Sequence, residues 1–293
     1  MLVRGIGIGD GGFPSSMAAH RNTGPGLSGG IQRAMVQTLV GVAIAIIFVP
    51  LVLTIYLSVF DETIIVFPPH GYTLSWYGRI LKEFGNALRT SAVTAVAASC
   101  ISLLVGVPAG IGLSRYRFPG RGAVVTLLLA PLTIPGVAIG LGVFVLAVLI
   151  EEHTEIAVSG GVGLMIAAHV LITLPWVVRL CLASLANYDR AAEEAAASLG
   201  ARPLTVIWRV TLPAMRGGIV AGALFAFIVS FENLEMTLFL TAPGVTTLPI
   251  SVLQYLQYHI DPLIAAIAVV QIVLVGGALL LLDRQVRIAR VAV

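Results

Sequence analysis

Two carboxylates three residues apart, Glu232 and Glu235, flank Asn233 in a part of the chain that is otherwise almost wholly apolar. They are the only acids inside any of six long hydrophobic stretches. An ionisable side chain at membrane depth is costly, and by default it marks a cavity or a solute path. On a helix, residues i and i+3 share a face, so the pair is expected to present two negative charges to one cavity, chemistry that suits a cationic solute. Glu232 follows the start of the fifth stretch, Gly217, by about 22 Å of helical rise, which puts it in the outer half of a bilayer. Glu232, Asn233 and Glu235 are therefore the candidate solute path. His169 and Gln271 are isolated polar residues in apolar surroundings, suited to helix–helix hydrogen bonds rather than to a proton relay or a metal. Cys100 and Cys181 lie inside apolar runs and read as small packing residues. No catalytic constellation and no metal-ligand set emerges from these residue types.

The elements that must hold these groups are membrane helices. With 58% hydrophobic and 11% charged residues in 293, and mean hydropathy +1.01, the chain is far below the roughly 25% charge of soluble domains. Disorder, a disulfide scaffold and nucleic-acid binding are excluded by the same figures. Apolar stretches long enough to span hydrocarbon run over Val40–Val59, Ser91–Leu113, Ala123–Ile150, Gly161–Leu185, Gly217–Leu240 and Leu263–Leu282. Because they are continuous rather than alternating, the expected fold is an all-α membrane protein of six transmembrane helices. The third stretch is too long for one straight span, and Pro131 and Pro135 predict a kink or break inside it. Gly106/Gly110 and Gly136/Gly140 have the spacing that allows close helix approach. Fourteen of the 17 basic residues fall on one side if both termini face the cytoplasm, and this excess fixes the orientation as N-in, C-in. Residues 1–34, rich in glycine, are expected to be a flexible cytoplasmic tail, with the six-span domain at 35–293. Gly7, Gly9 and Gly12 fit a dinucleotide-loop spacing without the strand and helix that such a loop needs. No phosphate-binding loop occurs either, and Lys82 is the sole lysine, so energy from ATP has to come through a partner.

The longest hydrophilic connection, residues 187–213, carries the most specific pattern. Asp189 is a plausible N-cap, the Ala/Glu run that follows favours helix, and Gly200 is placed to end it in a left-handed conformation. Pro203 then suits the first turn of a second helix, which presents Leu204, Ile207 and Trp208 before Leu212-Pro213 stops it. Glu194-Ala195-Ala196, three residues, Gly200, nine residues, then Val210-x-Leu212-Pro213 resembles the EAA loop of type I ATP-binding-cassette importer permeases, with valine where isoleucine is usual. Trp76-Tyr77, Ser114-Arg115-Tyr116-Arg117-Phe118 and Leu174-Pro175 look like the second permease subunit of spermidine/putrescine importers. The likeness extends from about Val40 to the C-terminus.

The resemblance implies a transporter subunit and no enzyme. It implies a bacterial inner-membrane, multi-pass permease in a binding-protein-dependent importer, probing polyamine-like cations first and aminophosphonate, iron or carboxylate as alternative solutes. Glu193, Glu194, Ala195, Ala196, Gly200, Pro203, Leu212 and Pro213 would then couple to a cytoplasmic ATPase dimer that holds ATP and magnesium, with no cofactor on this chain. A homologous second permease or a second copy would complete the path, and a periplasmic solute-binding protein would dock outside, at Trp76, Tyr77, Tyr255 and Tyr258. An ion-coupled secondary transporter is the rival class, but the inverted repeat with interrupted helices often found there is not evident.

Overall fold

A computed structural model describes residues 27–62, 67–186 and 188–291. Among these the architecture is helical, with no sheet. The chain divides into two units, Met1–Val52 and Leu53–Val293. The first is represented by most of α1 (Leu27–Leu57), an apolar helix whose spanning part has mean hydropathy 2.7. Its start at Leu27 falls inside the stretch expected to be a tail, and the rest of that stretch, residues 1–26, lies outside the described residues.

In the second unit, α2 (Ser75–Arg115) runs unbroken for 41 residues, about 60 Å at 1.5 Å per residue. It is twice the length of the stretch expected from hydropathy, because the amphipathic turns from Ser75 to Thr90 continue the same helix. The third stretch is broken, as its prolines require. It comprises α3 (Arg121–Leu129), a 3₁₀ turn at Ala130–Leu132 and α4 (Gly136–Thr154), with Pro135 at the N-cap of α4. Then come α5 (Val162–Ala186), α6 (Ala191–Ser198), α7 (Pro203–Val206), a π-helical turn Ile207–Thr211, α8 (Leu212–Ala214) and α9 (Arg216–Phe231). The unit closes with α10 (Leu248–Leu256) and α11 (Pro262–Val291).

Among the described residues five helices are long and apolar enough to cross a membrane, and a sixth span requires α9 to be counted with the helical segment before it, from which it bends by 71°. Helix α9 has 16 residues, about 24 Å, which is short of a hydrocarbon core of about 30 Å. The expected span to Leu240 is therefore corrected: the helix ends at Phe231, and residues 232–240 continue as turns.

Three buried clusters hold the unit together. At the end of α2 that carries Trp76, Ile80 and Phe84 pack with Phe231, Leu248, Leu263 and Ile267. In the middle, Ile139, Met165 and Ile172 meet Met236 and Leu240. Toward Arg115, Ile111, Val177, Cys181 and Leu185 surround Met215. A Cβ placed on Gly106 or Gly110 would lie 2.8 Å from Val177 or Cys181, so the small residues do bring α2 against α5, the packing that lipid rewards. Cys181 is buried as expected, whereas Cys100 faces outward.

Candidate functional site

The loop between α5 and α9 folds as two short helices around a glycine. The Asp189 carboxylate accepts from the Ala191 N–H at 3.0 Å, one residue before the structural N-cap, Arg190. Glu193 and Glu194 occupy the first turn, where the helix dipole favours acids. Gly200 has φ +84°, and the Ala201 N–H reaches back to the Ala196 carbonyl at 3.1 Å. That bond spans five residues and is the hallmark of a glycine-terminated helix end. Pro203 stands at the start of α7, as its fixed φ favours. Leu212-Pro213 does not stop the helix, contrary to the sequence reading. The π-helical turn just before it, with the Leu212 N–H bonded to the Ile207 carbonyl, widens the backbone and lets the proline pass without a clash. The chain turns only at Met215.

This loop is fastened to α2 through charge. The Arg115 guanidinium donates from both terminal nitrogens to the two carboxylate oxygens of Glu193. The Thr211 hydroxyl donates to Glu193 Oε1 at 2.7 Å and accepts from Arg115 Nη2 at 3.1 Å. Arg190 donates to the Ser114 carbonyl and Arg121 to that of Leu113, each at 2.8 Å, so three arginines cluster at the last turn of α2. Of the two adjacent acids, Glu193 is the buried partner of Arg115, and Glu194 is exposed. Exposed with it are Ala195, Gly200, Pro203 and Pro213, while Ala196 and Leu212 are half-buried. Leu199, Leu204 and Trp208 are exposed to 89%, 70% and 69%. Such large apolar side chains on a hydrophilic loop form a surface suited to a protein partner. Ile207, expected beside them, turns toward the core. Asn187, the first residue of the expected loop, lies outside the described residues.

The Arg115 bonds and the Thr211 hydroxyl hold the Glu193 carboxyl below the usual carboxylate range against the opposing effect of burial. A depressed folded-state pKa contributes stability that is present above the ordinary value of about 4.3 and lost as pH falls through the depressed one. Hydrogen exchange of the α6 amides, corrected for intrinsic rates, is therefore expected to be constant from pH 8 to 5 and to accelerate below about pH 4. Acceleration already at pH 6 would contradict this assignment.

At the other candidate site, the two acids do not share a helix face. Beyond Phe231 the α-helix gives way to turns, in which backbone bonds are supplemented by side chains. Asn233 Oδ1 accepts from the Thr237 N–H at 3.2 Å, and the Thr237 hydroxyl donates to the Asn233 carbonyl at 3.0 Å. His169, fully buried on α5, bonds Ser230 Oγ at 2.6 Å through Nδ1 and Thr237 Oγ1 at 3.0 Å through Nε2. These are the helix-to-neighbour bonds expected of it. Non-helical backbone at membrane depth survives only where protein or a water-filled cavity surrounds it, and this segment meets that condition.

Glu235 leans on the first turn of α4, its Oε2 2.8 Å from where a Cβ on Gly136 would stand. The Gly136/Gly140 pair thus receives the Glu235 side chain and the Met236 backbone rather than another helix. Glu232 instead opens on a groove of about 460 Å³ walled by Ala268, Gln271, Ile272, Val275 and Gly276 of α11. Sequence reading missed that Gln271 joins Glu232, 39 positions earlier in the chain, because only the packing of α11 brings them together.

Of the four aromatic residues expected to meet an external partner, three are structural. Trp76 is 4% exposed and donates its indole N–H to the Phe60 carbonyl at 2.6 Å. Tyr77 bonds Ser58 at 2.8 Å. Tyr255 stacks on His259, meets Phe84 edge-on and donates to Asp261 at 2.7 Å. Tyr258 is 83% exposed, with Leu256 and Ile260 open beside it.

A family model described as binding-protein-dependent transport system inner membrane component matches residues 102–288. The chain is similar to the Putrescine transport system permease protein PotI of Escherichia coli (strain K12), with 30% identity over 233 residues, 78% of this chain and 83% of that one. It is also similar to the Spermidine/putrescine transport system permease protein PotC of Escherichia coli (strain K12), 25% identical over 232 residues, 78% and 85% of the two chains. Among solved structures, a bacterial ABC transporter involved in the import of the acidic polysaccharide alginate contains a chain with the same fold. The TM-score is 0.69 at 16% identity, covering 88% of this chain and 98% of that one.

Proposed function

The chain belongs to the family of binding-protein-dependent transport system inner membrane components, and from that premise we propose that it forms part of the path for small polyamine-like cations. As a multi-pass inner-membrane permease of an ABC importer it is a transporter subunit and carries out no chemistry on its solute. The observation that carries the solute reading is the groove at Glu232: one carboxylate and the Gln271 amide above a bed of aliphatic side chains. An alkyl ammonium fits both parts, its charge on the acid and its methylenes on the apolar wall. The two putrescine-transporting relatives support the same solute class.

In this reading both termini and the loop of residues 187–213 face the cytoplasm, where ATP closes a partner ATPase dimer with bound magnesium. The loop moves with the dimer, a second permease or second copy completes the path, and the cavity opens outward to receive solute from a periplasmic binding protein near Tyr258. Hydrolysis resets the inward-open state. The test is uptake of labelled putrescine and spermidine by cells holding the complete gene cluster, with and without this gene. Deletion should abolish uptake. Glu232→Gln should lower it about tenfold at sub-saturating solute, since a charge-assisted hydrogen bond is worth about 1.5–3 kcal/mol. Polyamine uptake unaffected by deletion would refute the solute assignment.

A further inference from the structure

The loop end, the solute segment and the far end of the unit are all linked by hydrogen bonds to one continuous helix, α2. At the loop end, Arg115, the last residue of α2, grips Glu193 of α6 and Thr211 of the π-helical turn. About 20 Å further along α2, Ser102 Oγ lies 2.7 Å from Thr173 Oγ1, whose hydroxyl bonds the His169 carbonyl at 2.8 Å. His169 in turn holds Ser230 and Thr237, on either side of Glu232. About 16 Å beyond Ser102, Ser91 Oγ accepts from the N–H of Leu248, the first residue of α10, at 2.8 Å. Helix α10 leads directly to the exposed Tyr258.

The covalent route from the same loop is softer. It runs through a π-helical turn and a 71° bend before reaching α9, both of which are places where helices yield. The connection made by Arg115 gives a load on the loop a second entry to the unit, into a helix that is continuous from Ser75 to Arg115 with one interior proline, Pro108.

We propose that the Arg115–Glu193–Thr211 clasp is a positioning device that delivers movement of the loop to α2, and through α2 to the segment around Glu232 and to α10. The proposal rests on the reading that this loop receives the ATPase stroke. Arg115, Glu193 and Thr211 are positioning residues and touch no solute.

The experiment uses the complete importer in liposomes, with Cys100→Ser and Cys181→Ala and a fluorophore on Tyr258→Cys. Two quantities are read: ATP hydrolysis, and the ATP-dependent change of the distant fluorophore, which needs no knowledge of the solute. Glu193→Gln should shrink the fluorescence change at least fivefold per ATP hydrolysed. The double exchange Arg115→Glu with Glu193→Arg should recover at least half of it. Thr211→Val, close in shape, should reduce it two- to fivefold and decides the matter if Glu193→Gln does not assemble. A fluorescence change equal to the parent's in the assembled variant overturns the clasp. Leu204→Asp, on the exposed loop, separates the two ideas: it should lose both signals if the loop docks on the ATPase, and full activity in that variant would overturn the docking reading instead.

Discussion

Replacing Gly200 by aspartate is expected to abolish solute uptake while the chain still inserts in the membrane at the parental level. Gly200 sits at φ +84°, where a side chain is disfavoured by about 1–2 kcal/mol, less for aspartate than for most residues. Apart from its two chain neighbours, no atom of the described residues lies within 4 Å of where its Cβ would be, so the fold can accept the new side chain. The carboxylate would project from the surface that carries Leu199, Leu204 and Trp208, where covering a charge with a docked partner is costly. Gly200→Ala, which adds strain without charge, should keep a reduced but measurable uptake. Normal uptake by the aspartate variant, measured beside its membrane content by immunoblot, would remove this surface from the coupling mechanism.

The second large effect is expected at Gly140. A Cβ there would stand 2.5 Å from the Met236 carbonyl oxygen and 2.9 Å from its Cα, and both are backbone atoms that cannot swing away. Met236 is itself fully buried against Met165 and Ile172, so relief must come from moving α4 or the whole 232–240 segment. Overpacking of this kind costs about 1–3 kcal/mol, and here it also displaces Glu232. Gly140→Ala should lower both the thermal midpoint in detergent and the uptake rate. Gly142→Ala, two positions along the same helix with nothing within 4 Å, should hold or raise the midpoint, since alanine is favoured over glycine in helices by about 1 kcal/mol. Equal midpoints for the two variants would mean that the close approach of α4 and Met236 does not exist.

What the sequence made legible was local. Pro131 and Pro135 break the third span because a missing N–H and a ring clash act within four residues, and Gly200 and Pro203 set the loop for equally short-range reasons. The errors came where distant groups decide. Nothing near Glu193 distinguishes it from Glu194; Arg115 and Thr211, remote in the chain, do. Hydropathy carried the fifth span to Leu240 because it counts apolar side chains and does not register which donors and acceptors surround the backbone. Asn233 and Thr237 supply such groups to the backbone after Phe231, and His169 ties Ser230 and Thr237 together from α5. Trp76 was expected as an external contact, and its burial against the Phe60 carbonyl places it in the core instead.

The segment after Phe231 takes its form from short turns, in which the N–H groups of Leu238, Phe239 and Leu240 reach carbonyls three or four residues back, and from a few side-chain bonds, rather than from one continuous helical ladder. In a helix, one inserted or deleted residue turns everything beyond it by about 100° and scrambles the buried face. In residues 232–240 an inserted residue would likewise meet the buried Met236, Thr237 and Leu240, so it is exchange of the exposed Glu232 and Leu238 side chains, and not a change of chain length, that leaves the backbone in place. The Glu232 side of the groove can therefore be varied side chain by side chain while residues 187–213 stay as they are.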